Sequence, residues 1–155
     1  MCRAGASTYP MRRNVQLSRF TVLVVDDEAP IRANIAAVLS PMGLRVLLAE
    51  DGFHALSLLQ EAVHLAIVDT QMPGMHGFDL VRALRIRQPR VAVLLLAPRG
   101  QAEPPSEPPG WRPVPALAKP FTAAALLAQV RRVLPGRVNG TPERVPGSRR
   151  RRGRG

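Results

Sequence analysis

A chain of 155 residues, 46% of them apolar, has material for one ordinary hydrophobic core and not for two. Its longest apolar run, Val91 to Pro98, lies between Arg90 and Arg99, far short of the roughly 20 residues that a membrane-spanning helix needs, and the apolar run after the N-terminal arginines is too short for a secretory signal. The single cysteine, Cys2, excludes an intrachain disulfide framework or cysteine metal site and fits a cytoplasmic location; the net charge of +11 belongs to the ends, because residues 20–134 carry eleven Lys or Arg against ten Asp or Glu.

Three regions follow from this charge distribution. Residues 1–19 form a polar leader with Arg3, Arg12, Arg13 and Arg19, residues 20–134 form the folding body, and residues 135–155 are an Arg/Gly/Pro tail ending SRRRRGRG. Neither end has the apolar residues to order itself, so both are expected to be disordered. Met11 stands just before RRNVQLSRF and is an alternative start to Met1, which the intact mass of the native protein decides. The tail is read first as a solvated segment; the sharper reading is non-specific binding of nucleic acid or another polyanion through backbone phosphates. It has no interleaved aromatics and no reading helix, so sequence-specific recognition is not supported.

Within the body, strands alternate with helices. Thr21 to Val25 is a short strand pattern ending in Asp26, Asp27 and Glu28, and Pro30 then suits the first turn of a helix. That helix runs to about Leu39, with Ile31, Ile35, Val38 and Leu39 on one face, and is stopped by Pro41 and Gly43. Leu44 to Ala49 reads as a second strand. Phe53 to Ala62 reads as a helix burying Phe53, Leu56 and Leu59, with Val63 close behind. The run Leu65 to Val68, ending on Asp69, is a strand buried on both faces, followed by the breakers Pro73, Gly74 and Gly77. A helix from Phe78 to about Gln88 and a fourth strand from Val91 to Ala97 come next. Eight prolines between Pro98 and Pro120 then argue against a full helix, leaving a Pro-rich loop where a fourth one is due. Val114 to Ala118 is a short fifth strand, and Thr122 caps a helix from Ala123 to Leu134.

Such alternation predicts an α/β fold, a five-stranded parallel sheet with right-handed crossovers and helices on both faces. All strands then end at one edge, where Asp26, Asp27, Asp69 and Lys119 converge. Clustered carboxylates repel one another unless a hard cation sits between them, and Mg²⁺ takes one or two protein carboxylates while leaving positions for water and phosphate oxygens. A carboxylate can also act as a nucleophile, forming an acyl phosphate, with a metal and one ammonium neutralising the transferred group. Of 22 basic residues, only Lys119 is a lysine, and it falls beside this site.

The stretches VVDDEAPIR (24–32), VDTQMPGMHGFDL (68–80) and AKPF (118–121), in this order and spacing, closely resemble the receiver domain of two-component response regulators. The resemblance implies a flavodoxin-like, doubly wound sheet of order 2-1-3-4-5 and a stand-alone receiver that accepts a phosphoryl group on Asp69 from a histidine kinase or phosphotransfer protein. It also implies Mg²⁺ held by Asp26, Asp27, Asp69 and the backbone carbonyl of Gln71, with Lys119 contacting the phosphoryl group and an unknown downstream protein reading the state. Three family positions depart, one of them the acidic position before the second glycine of 68–80, which is His76. The hydroxyl residue at the end of the fourth strand is Leu96, with no serine or threonine anywhere from Gln71 to Pro105, and the switch aromatic is Ala116. The alternative is therefore a degenerate receiver that acts as a phosphorylation-independent interaction module. No base or specificity pocket for an outside substrate is identifiable, so the chain reads as a signalling protein and not an enzyme. His54, His64 and His76 lack metal-ligand spacing, and Trp111 reads as a loop residue.

Overall fold

A computed structural model of the chain describes residues 20–100 and 113–134. Its elements are β1 (Thr21–Val25), α1 (Ala29–Leu39), a short 3₁₀ turn (Ser40–Met42), β2 (Arg45–Ala49), α2 (Gly52–Ser57), β3 (Leu65–Asp69), α3 (Gly77–Arg87), β4 (Ala92–Pro98), β5 (Ala116–Lys119) and α4 (Ala123–Val133). The five strands form one sheet in the order β2-β1-β3-β4-β5, every pairing parallel. That is the expected doubly wound α/β architecture.

Strand alternation sorts the core into two layers. Leu23, Val25, Ala66, Val68, Val93 and Leu95 face α2 and α3 with Ala55, Leu80, Val81 and Leu84. Val22, Val24, Leu65, Ile67, Leu94, Leu96 and Leu117 face α1 and α4 with Ile35, Leu39, Leu126 and Val130. All five residues of β1 and of β3 are buried, as befits central strands covered on both sides. The helix ends follow local rules. Pro30 sits in the first turn of α1, Gly43 closes the 3₁₀ turn in the left-handed region, and the Thr122 hydroxyl accepts from the Ala125 amide at 3.1 Å.

One helix departs from the sequence pattern. Instead of running to Ala62, α2 ends at Ser57, and the chain from Leu58 to His64 is irregular. The Gln88 side chain accounts for this, since its Nε2 donates to the carbonyls of Glu61 (2.8 Å) and Leu59 (3.4 Å) and its Oε1 accepts from the Val63 amide (2.7 Å). These backbone groups are held by α3 rather than by a continuing helix. Because α2 buries only Gly52 and Ala55, Phe53 is 66% exposed rather than in the core; Leu56 and Leu59 are half-buried against it and Val63 is buried. The fifth strand starts two residues later than its pattern, at Ala116. Residues 101–112, with Trp111 and four of the eight prolines that argue against a fourth full helix, lie outside the described residues, as do the leader and the tail. Among the described residues no helix is long and apolar enough to cross a membrane.

Candidate functional site

Three strand tips build the site. Asp26 follows β1, Asp69 ends β3 and Lys119 ends β5. Each lies two residues beyond a side chain of the α1/α4 layer (Val24, Ile67 and Leu117), so alternation puts all three on the same sheet face. Asp26 and Asp69 are buried, Asp27 is exposed, and the three offer carboxylate oxygens within 4.8 Å of one another. The Lys119 ammonium bridges the buried pair, donating to Asp26 Oδ2 at 2.7 Å and Asp69 Oδ2 at 3.0 Å.

The remaining lone pairs are aimed by backbone. The Gln71 amide donates to Asp69 Oδ1 at 3.0 Å and the Glu28 amide to Asp26 Oδ1 at 2.8 Å. Arg32 Nη1 donates to the Asp26 carbonyl at 2.6 Å, tying the β1 tip to α1; nothing in the sequence pattern singles out this arginine beyond its place one turn into the helix. Behind β3, a Cβ on Gly77 would clash with the Asp69 carbonyl oxygen and lie 2.8 Å from Thr70 Cα, so only glycine lets α3 start this close to the strand. Gly74, at φ +88°, makes the turn between them.

Burial pushes the Asp69 carboxyl above the ordinary 3.8, and repulsion from Asp26 adds to this; the Gln71 amide and Lys119 pull the other way without offsetting it. Burial alone would lower the Lys119 ammonium, but its hydrogen bonds and attraction to Asp26 and Asp69 hold it above 10.5. The two buried carboxylates thus share one ammonium. Three carboxylates, one of them open to solvent, form an all-oxygen donor set that fits Mg²⁺ with its retained waters.

An open cleft of about 620 Å³ covers the site, with Asp27, Asp69, Gln71 and Lys119 on its walls. It also exposes Glu28, Pro98 and Arg99, which the sequence reading did not single out, because charge at a turn carries no signal until the fold brings it to the cleft. Leu96 and Ala116 are elsewhere in character. Leu96 pairs with Asp69 across the β3–β4 ladder, on the same face, and is fully buried among the apolar side chains of the α1/α4 layer. Ala116 pairs with Leu95 and packs half-buried against the opposite layer. Among the histidines, His64 Nδ1 accepts from the Thr21 amide at 3.0 Å and its ring meets Phe20 edge-on, while His54 and His76 sit at helix starts. None joins the acidic cluster.

A doubly wound parallel sheet thus carries three carboxylates and one lysine at its carboxyl edge, the edge at which open α/β sheets place their ligand sites. Comparison with known proteins agrees. Residues 22–131 match the family model described as response regulator receiver domain, and the chain belongs to that family. It is 34% identical over 126 residues to the response regulator protein FleR of Pseudomonas aeruginosa, an alignment covering 81% of this chain and 27% of that longer protein. The chain thus spans little more than a quarter of that relative's length. Among solved structures it resembles the chemotaxis response regulator CheY4 of Vibrio cholerae, with TM-score 0.66, 33% identity, and coverage of 74% of this chain and 98% of that one. It also resembles TrrA of Thermotoga maritima in complex with Mg²⁺–BeF, with TM-score 0.64, 27% identity, and coverage of 74% and 98%.

Proposed function

We propose that this receiver domain accepts a phosphoryl group on Asp69 from a phosphohistidine of a partner histidine kinase or phosphotransfer protein. The observation that carries the reading is Lys119 Nζ, 2.7 Å from Asp26 and 3.0 Å from Asp69, inside a cluster of three carboxylates. A carboxylate oxygen of Asp69 attacks phosphorus in line as the N–P bond to the donor imidazole breaks. The electron pair leaves on the ring nitrogen, and the products are an aspartyl phosphate and a neutral imidazole. Asp26, Asp27, Asp69 and the Gln71 carbonyl are the residues that would hold Mg²⁺, which supplies charge neutralisation and a template for the phosphoryl oxygens. That TrrA was solved with Mg²⁺–BeF supports this assignment by similarity. Lys119 moves from bridging two carboxylates to contacting the incoming group, and its elevated affinity for a proton keeps it an ammonium throughout.

The test is direct: purified protein with Mg²⁺ and acetyl phosphate should gain the mass of one phosphoryl group, lose it to hydroxylamine, and gain nothing as Asp69→Asn. An unchanged wild-type mass under these conditions overturns the reading. A second reading is favoured by one observation, the apolar packing of Leu96 and Ala116 at the two positions expected to report phosphorylation. On that reading the domain binds a downstream partner whatever the state of Asp69, and amide NMR shifts on phosphorylation stay confined to the site's edge. Polyanion binding by the tail concerns residues outside the described ones; it predicts binding that falls steeply with salt and is lost on deleting residues 147–155.

A further inference from the structure

We propose that Arg99 is the second cation of the phosphoryl site, taking the place of the hydroxyl that Leu96 cannot supply; this inference rests on phosphoryl acceptance by Asp69. The β4 tip reads Leu96, Ala97, Pro98, three residues with no side-chain donor, and Pro98 lacks even an amide hydrogen. The first donor beyond them is Arg99. Pro98 pairs with Lys119 across the β4–β5 ladder, so Arg99 stands one residue past the level of the Lys119 backbone. Arg99 lines the same cleft as Asp69, where it and Lys119 are the only cations among the described residues. Thr70, next to Asp69 in the chain, is buried and does not line the cleft. Lys119 is already engaged by two carboxylates, whereas Arg99 is exposed and has no hydrogen bond or ion pair among the described residues.

Charge explains why a second cation is useful. An aspartyl phosphate carries about −2 where the carboxylate carried −1, so transfer adds negative charge to a site that already holds three acids and borders Glu28. A guanidinium meets phosphate oxygens with two parallel N–H donors, and one that has no hydrogen bond or ion pair among the described residues can turn into the cleft without breaking any contact described there.

Arg99→Gln should therefore act in opposite directions on two ligands. Mg²⁺ alone, titrated against the amide shifts around Asp69, should bind about two- to fivefold more tightly, because a nearby positive charge has gone. Beryllofluoride with Mg²⁺, standing for the phosphoryl group, should bind about fivefold or more weakly, with Arg99→Lys recovering only the part of the loss that is due to charge. If Arg99→Gln matches the wild type in both titrations while the wild type binds beryllofluoride, Arg99 is a solvated side chain and the inference fails alone. If the wild type neither binds beryllofluoride nor gains phosphoryl mass, phosphoryl acceptance fails and this inference with it.

Discussion

Burial opposes the charge on Asp69. Its folded-state pKa lies above 3.8, so folding binds the proton more tightly than the unfolded chain does. Asp69 therefore favours folding most below pH 3.8, and that contribution is lost as pH rises through the elevated folded value. Lys119 is raised as well; its contribution is present below 10.5, is retained across the neutral range, and is lost only as pH climbs through its higher folded value. In Mg²⁺-free buffer at pH 7, Asp69→Asn is accordingly expected to raise the urea midpoint. Saturating Mg²⁺ should cancel or reverse the advantage, because it stabilises only the wild type's complete carboxylate set. A midpoint lowered by Asp69→Asn without metal would mean that the Lys119 bridge outweighs burial and repulsion. The identities of Asp26, Asp27, Asp69 and Lys119 were legible in the sequence because each stands where an apolar run ends or a Lys-Pro turn begins. Arg32 and Arg99 were not, since what they touch or face is decided by other strands.

At the scale of elements, the same contrast separates the strands from α2. The β1 and β3 bounds follow from apolar runs that stop at acids, information local to five or six residues. The end of α2 is set by Gln88, 27 residues beyond Glu61, and no window around Leu58 contains it. Phe53 was expected inside for the same reason: a ten-residue helix would have an apolar face that a six-residue one does not. Gln88→Ala removes an acceptor from the buried Val63 amide and a donor from two carbonyls, and should cost about 1 to 3 kcal/mol in chemical denaturation. Phosphorylation of Asp69 should be unaffected, because the bonds lie at the opposite end of β3 from the acid. A loss below about 0.5 kcal/mol would show that water satisfies these groups equally well.

For the whole molecule, the sheet does more than carry the site to one edge. Its alternation assigns Asp26, Asp69, Leu96 and Lys119 to the α1/α4 side, while α2 and α3 pack on side chains of the other parity. The fold class and strand order were readable in advance, since five apolar runs alternating with helix patterns admit few parallel arrangements. Which residues share a face with the acid became usable only with the register in hand. With Mg²⁺ and beryllofluoride, amide shifts are expected along α1 and α4, and in α3 only in the first turn, where Gly77 abuts the Asp69 carbonyl. Comparable shifts along the length of α2 and α3 would contradict this. If the shifts fall this way, the sheet works as a divider as well as a scaffold: a partner seated on α1 and α4 would rest on the layer whose side chains share the acid's face, and one seated on α2 and α3 would meet Asp69 only through the start of α3 and the layer that holds Ala116.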